Sequence, residues 1–441
     1  MMKKSKFFLI LLTTIFFLKN SFADNYSDKL SELMNQYDKP QLFSGVVLLA
    51  KDGEILYEKS FGYADWENKV PNNNQTLFNT ASITKMFTMV MIKQLESEGK
   101  LNLTDPLNKY VQMYPDETGS KITIKMLLEM KAGLGDYLMN PEYNRNMAKF
   151  TTVDTYIDLI KNEPLLFEPG TRMEYSNSGY VVLGAVIEKA TGKSYAQNLK
   201  DRIFNPLGMK NSYFRQMNDK LENCAISANV DFSGAKHNML REASPSPAGG
   251  IFTNVEDLLK FDAYLKQTKY YYTGVRAGGT PGWNAIYGQY KDGYTLIILS
   301  NFARMAEEVE SRFSKILKNE NYREPAEPMA MTLYKILKSE GADGLKNNLK
   351  NILEENNLEY NDMHLNEFGY QLMQSGDLDM AIVVFKLNSE LFPDIANTYD
   401  SLAEAYMSKG SNELAIENYK KVLAIRPQNE NAKKMIEQLS K

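Results

Sequence analysis

Two apolar hairpins, one turning at Lys51-Asp52-Gly53 and the other at Lys291-Asp292-Gly293, constrain this chain more than any other feature. Each Asp-Gly pair sits between strand-forming runs: Phe43 to Ala50 and Glu54 to Phe61 in the first, Trp283 to Tyr290 and Tyr294 to Ser300 in the second. Asp-Gly in that setting specifies a tight turn between antiparallel strands. Between the hairpins the periodicity is helical. Met86, Val90, Ile92 and Leu95 fall near helical spacing, and further helices are expected over 122–131, 151–162, 179–191 and 255–267. Strands at both ends of a helical middle imply an α+β fold. An antiparallel sheet closed by distant segments is flanked by helices, with a mostly helical subdomain.

One more amphipathic helix is expected over 304–318, after which Glu324-Pro-Ala-Glu-Pro328 marks a domain boundary. The remainder repeats. Gly376 and Gly410, Ala381 and Ala415, Phe385 and Tyr419, and Pro393 and Pro427 are each 34 positions apart. That is the period of tetratricopeptide helix pairs, so an all-α domain of that type is expected to follow. The expected division is a signal peptide at 1–23, the α+β domain at 24–320, a linker with helices at 321–362, and repeats with a capping helix at 363–441. Two repeats bury little surface by themselves, so the helices at 329–356 and after 428 are expected to act as caps or a docking face. A protein or peptide partner is accordingly expected at residues 329–441.

At 441 residues the chain exceeds what one core usually organises, which agrees with two folded units. The 51 basic and 55 acidic residues leave a formal net charge of −4, which gives no footing for a nucleic-acid partner. Lys3, Lys4 and Lys6 precede the apolar run Phe7 to Leu18, and Ser21-x-Ala23 supplies a small-residue cleavage site. The run is too short to span a bilayer, so it reads as a secretory signal with no stable membrane span after cleavage. The expected location is extracytoplasmic, periplasmic or secreted. Cys224 is the only cysteine, so no intrachain disulfide is available.

The chain has two histidines, His237 in a loop-like stretch and His364 beside the repeats. A Ser-His-Asp triad would depend on His237, which reads as an ordinary surface residue. A zinc site built from several histidines is excluded, and no metal or other cofactor is expected. Ser82 and Lys85, at i and i+3 at the start of a helix, offer a base that needs no histidine. A serine hydroxyl attacks well only when its proton is accepted, and lysine accepts it only as the neutral amine. Burial must therefore lower the lysine pKa by roughly 2–3 from near ~10.4. Taken alone, Ser-x-x-Lys is commonplace on helices.

Its companions are Tyr175 and Asn177 at a loop-to-helix junction, and Arg276 with Gly278 and Gly279 just before the returning strands. Tyr175 is placed to relay a proton and Asn177 to hold a substrate amide. The plainer reading of that junction is a helix cap supplied by Asn177 or Ser178. Tyr137, Tyr143 and Trp283 are candidates either for a pocket wall or for the core, and the 133–150 loop carries no diagnostic residue.

Taken in order, Ser82-x-x-Lys85, Tyr175-x-Asn177, Gly249-Gly250-Ile-Phe-Thr and Gly278-Gly279-Thr-Pro-Gly282 resemble the class C β-lactamase and penicillin-binding-protein-like serine hydrolases. The resemblance covers roughly residues 30–318, and a helical repeat tail is similar to that of one branch of the family. It implies a β-lactamase/transpeptidase-like fold in which Ser82 is acylated, Lys85 shares its proton, and Tyr175 acts as base and then acid. It also implies an oxyanion hole from the backbone N–H groups of Ser82 and Gly279, with Asn177, Arg276, Gly278 and Thr280 binding a small-molecule or peptide substrate. The implied chemistry is hydrolysis of a β-lactam, a D-amino-acid peptide or a small ester or amide through an acyl-enzyme.

Two features depart from the pattern. Arg276 stands where the family has His or Lys, and it stays protonated, so it attracts a carboxylate without shuttling protons. Arg276 also follows Gly250 by only 26 positions, where the family has an additional stretch with a strand, and Tyr270-Tyr271-Tyr272 occupies the join. A missing wall there motivates the alternative function, a catalytically impaired binding or scaffold protein whose repeats recruit a partner.

Overall fold

The structure, a computed structural model, describes residues 26–161, 163–214, 219–239 and 244–440. The expected signal peptide lies outside the described residues. The chain divides into two compact units, one formed by residues up to Asn229 with Lys236–Pro325, the other by Val230–Ala235 with Ala326–Lys441. No helix among the described residues is long and apolar enough to cross a membrane.

The first unit is built on five strands: β1 (Gly45–Lys51), β2 (Glu54–Phe61), β3 (Gly274–Thr280), β4 (Trp283–Gln289) and β5 (Tyr294–Ser300). Their order is β3-β4-β5-β1-β2, antiparallel throughout. Val47 lies opposite Ile298, so the two hairpins meet at the centre of the sheet through the distant pairing that the sequence implied. Strand alternation then sorts the apolar residues onto two faces. Val47, Leu49, Ile286 and Ile298 pack with Leu33, Val309 and Phe313 on one face. These belong to helix α1 (residues 26–38) and, further on, to α6 (Met305–Leu317). Val46, Leu48, Ala285, Ile297 and Leu299 face the helical subdomain on the other.

That subdomain contains α2 (Thr84–Ser97), α3 (Val153–Ile160), α4 (Asn177–Thr191) and α5 (Val255–Lys266), with a short helix at Ile124–Leu128. The expected helix at 122–131 is thus shorter than its apolar pattern. Thr123 caps it by accepting from the Met126 N–H, and Met130 has a φ of 57°, which ends it.

Helix α5 is tied to the sheet by a fully buried carboxylate. Asp262 accepts from Tyr287 Oη (2.8 Å), Gln289 Nε2 (2.6 Å) and Thr295 Oγ1 (2.8 Å), and pairs with Lys266 Nζ at 2.9 Å. Removing one partner of such a set strands the others away from water. Asp262→Ala is expected to destabilise the protein by about 3–5 kcal/mol, read as a lower urea midpoint.

The second unit is helical: α7 (Met329–Glu355, interrupted at Gly341), α8 (Met363–Gln374), α9 (Leu378–Leu391), α10 (Ala396–Ser408), α11 (Asn412–Ile425) and α12 (Glu430–Leu439). Ala381, Phe385, Ala415 and Tyr419 are all buried. A further repeat of 34 positions emerges from the packing: a Cβ at Gly369 would lie 2.5 Å from the Phe385 ring, and Ala403 is buried in the same cluster as Tyr419. A small residue on the first helix of each pair therefore accompanies the aromatic on the second.

Candidate active site

Ser82 lies in a single 3₁₀ turn, Ala81–Ile83, immediately before α2, so Lys85 occupies the first turn of that helix. The turn is forced. Ala81 has a φ of 45°, a left-handed conformation unfavourable for a residue with a Cβ, and its N–H donates to Asn79 Oδ1 at 2.9 Å. Behind it, Thr80 Oγ1 donates to the Ile251 carbonyl (2.9 Å) and the Ile251 N–H donates to Thr84 Oγ1 (3.1 Å). These bonds fasten the segment around Gly249-Gly250 beside Lys85.

Lys85 Nζ is 3.1 Å from Ser82 Oγ, 2.6 Å from Asn177 Oδ1 and 2.7 Å from the Ala248 carbonyl oxygen. The side chain is buried, and burial lowers its pKa to about 7, with Asp136 acting in the opposite direction. The contacts suit a neutral amine. Two N–H groups meet two oxygens that can only accept, which leaves the lone pair for the serine hydroxyl. Tyr175 Oη lies 2.9 Å from Ser82 Oγ on the other side. Loss of water around the phenol raises its pKa, partly offset by the bond to Ser82.

Helix α4 brings Tyr175 and Asn177 together. Its cap is Ser176, which accepts from the Gly179 N–H at 3.1 Å, rather than Asn177 or Ser178. Asn177 is thereby released from capping and turns its carboxamide to Lys85.

Ser82 and Asn177 line a cavity of about 320 Å³ together with Tyr137, Tyr143, Gly279 and Thr280. Among the described residues its lining contains no charged side chain. Trp283 is a core residue instead, packed edge-on against Phe78 and Phe252. His237 sits in a short strand away from this lining, and no group of residues suited to a metal ion occurs among the described residues.

Two of the expected substrate contacts, Arg276 and Gly278, stand outside this lining. Strand pairing sets Arg276 opposite Tyr287, and its guanidinium is held there by the carbonyls of Gly274 (2.7 Å) and Tyr272 (2.8 Å) and by Gln289 Oε1 (3.0 Å). It also stacks 3.9 Å from the Tyr272 ring centre and does not line the cavity. Gly278 does not line it either: a Cβ there would fall 2.2 Å from the Thr80 carbonyl oxygen and 3.0 Å from Ser82 N. It permits close approach of β3 to the serine turn. The Tyr270–Tyr272 join forms no strand, and Gly279, Thr280 and Pro281 line the cavity from β3 onward.

One participant carries no signal in the expected motifs. Asp136 Oδ2 accepts from Asn177 Nδ2 at 2.7 Å and from the Asn177 N–H at 3.3 Å. It lies in the 133–150 loop that shows nothing diagnostic in sequence, and the cue available there is its place as cap of the turn Tyr137–Met139.

Residues 28–301 match the family model described as Beta-lactamase. A penicillin-binding protein of Bacillus subtilis (strain 168) is 38% identical over 187 residues, which make up 42% of this chain and 41% of that protein. The teichoic acid D-alanine hydrolase of Staphylococcus aureus (strain MRSA252) is 29% identical over 248 residues, 56% of this chain and 60% of that protein. The chain therefore spans between two fifths and three fifths of these two relatives. Among solved structures, a penicillin-binding protein from Bacillus halodurans superposes with a TM-score of 0.59 at 22% identity, over 64% of this chain and 98% of that one.

Proposed function

The chain belongs to the β-lactamase family, and from that premise we propose that it is a serine hydrolase acting through a Ser82 acyl-enzyme on small esters or amides of D-amino acids. The observation that carries this reading is the Lys85 amine, hydrogen-bonded to Ser82 Oγ and to two acceptors that orient its lone pair. Ser82 gives its proton to Lys85 as Oγ attacks the substrate carbonyl carbon. The oxygen of that carbonyl gathers charge against the N–H groups of Ser82 and Gly279, where preorganised donors act at full strength away from water. Tyr175, kept as a phenol by its raised pKa, donates to the leaving group as the carbon–heteroatom bond breaks. The Lys85 ammonium then returns its proton to the Tyr175 phenolate; water attacks the acyl-enzyme as its proton passes to Lys85, which hands that proton to Ser82 Oγ as the acid leaves.

Support for the substrate class comes from the cavity and from the relatives. Without a cationic side chain among its described lining residues, and with Arg276 bound elsewhere, the cavity suits an ester or amide that has no terminal carboxylate better than a peptide ending in one. The name teichoic acid D-alanine hydrolase, borne by one relative, points to the same class. An extracytoplasmic location, supported by the Lys-then-apolar run of residues 3–18, suits such substrates. For α8–α11 the reading is two tetratricopeptide-type repeats offering a face to a protein or peptide partner, supported by the 34-residue recurrence of small and aromatic core positions.

Incubation with a fluorophosphonate and with a labelled penicillin tests the proposal. Intact-mass analysis is expected to find one adduct on the full chain and none on Ser82→Ala, with a D-alanyl ester hydrolysed faster than a D-alanyl-D-alanine peptide. A folded protein that takes up neither reagent overturns it in favour of the binding or scaffold reading.

A further inference from the structure

Behind the site, on the side of Asn177 away from Lys85, stands a carboxylate that the proposed chemistry does not use. Asp136 Oδ2 holds both the side-chain amide (2.7 Å) and the backbone N–H (3.3 Å) of Asn177, while its Oδ1 accepts from the Leu138 N–H at 3.0 Å. We propose that Asp136 is a positioning residue that fixes the Asn177 carboxamide with its oxygen toward Lys85 and holds a negative charge behind the amine.

An asparagine side chain has a donor end and an acceptor end of nearly the same shape, so something must choose between its two orientations. A carboxylate accepts only, which compels the NH₂ group to face Asp136 and the oxygen to face Lys85. The 2.6 Å bond from Lys85 Nζ to Asn177 Oδ1 is the result. Were the amide reversed, its NH₂ would confront the lysine N–H groups and drive the amine off the serine.

The charge has a second effect. The groups around Lys85 are Ser82 on the preceding turn, the rings of Tyr175 and Tyr180 with centres at 5.0 and 5.8 Å from α4 and its entry, and Asp136 through Asn177. Of these, Asp136 is the group whose field favours the ammonium form, so it opposes burial and keeps Lys85 from losing its proton too readily. A base weakened too far would no longer accept from serine. Asp136 also borders a separate cavity of about 320 Å³, together with Met139 and Leu166, and is partly buried.

This inference rests on Lys85 being the base, and the experiment separates the two. In the full chain with ¹³Cε-labelled lysine, the Lys85 resonance, assigned by its loss in Lys85→Ala, is titrated in wild type, Asp136→Asn and Asp136→Glu. Rates of Ser82 phosphonylation by a fluorophosphonate, and of acylation by an activated D-alanyl ester, are followed in parallel from pH 5 to 9. Removal of the charge is expected to lower the Lys85 midpoint by roughly one pH unit, and to slow acylation on the alkaline plateau about tenfold. Asp136→Glu is expected to restore the midpoint, and with it most of the rate. An unchanged midpoint in a folded Asp136→Asn protein overturns the proposal, because a merely structural role would change the melting temperature alone. A shifted midpoint in a protein whose wild type never reacts would sink the hydrolase reading and leave the role of Asp136 standing.

Discussion

Replacement of Lys85 by alanine is expected to reduce kcat/KM for an activated D-alanyl ester by about 10²–10⁴-fold, the range a positioned general base supplies. Its three contacts account for the size of the loss. Truncation removes the group that takes the Ser82 proton and leaves Asn177 Oδ1 and the Ala248 carbonyl without their donor. Tyr175, whose pKa is raised by loss of water around the phenol, is a poor substitute for the amine. Lys85→Arg is expected to be as inactive as the alanine variant, since a guanidinium does not deprotonate in the working range. In the wild type the sign of the pH dependence follows from the same residue. The neutral amine is the active form and its pKa lies at about 7, so kcat/KM should fall as pH drops through 7 and level off above 8. A pH profile flat from 6 to 9, or a Lys85→Ala protein within tenfold of wild type, would remove Lys85 from the mechanism.

Much of this site was legible in sequence because its parts obey local rules. Ser82 and Lys85 share a helical face through i,i+3 spacing, and the hairpins announce themselves by Asp-Gly turns within apolar runs. Even the pairing of β1 with β5 follows from the need of two apolar hairpins to cover each other. What escaped was whatever depends on partners distant in sequence. Arg276 looks in sequence like a free cation beside a glycine run, and only strand pairing shows that Gln289, itself held by buried Asp262, binds it with neighbouring carbonyls. Asp136 has a similar history: its chemistry depends on Asn177, 41 positions away. The start of α4 was misplaced by two residues for a different reason. Its first turn carries Asn177 and Ser178, which have no apolar periodicity to betray a helix, while Ser176 does the capping.

The glycine at 278 yields the other large effect. Gly278→Ala is expected to lower kcat/KM by about 10²–10³-fold, comparable to loss of an oxyanion donor, and to destabilise the fold by about 1–3 kcal/mol through overpacking. A methyl group there would stand 2.2 Å from the Thr80 carbonyl oxygen, 3.0 Å from Ser82 N and 3.2 Å from Ile83 N, all of them backbone atoms that no rotamer change can move. The serine turn is already strained at Ala81, with a φ of 45°, and is pinned by the Thr80 and Thr84 bonds to Ile251. It has little freedom to retreat without carrying Ser82 N–H away from the oxyanion position and Oγ away from Lys85. Gly279 provides the contrast. A Cβ there would meet only Asn284 Nδ2, at the ordinary distance of 3.7 Å, so Gly279→Ala should keep its melting temperature even where the methyl crowds the substrate. Melting curves and single-turnover acylation of the two variants distinguish the cases. Equal melting temperatures and equal acylation rates would show that the approach of β3 to the nucleophile turn is not what sets the geometry of the site.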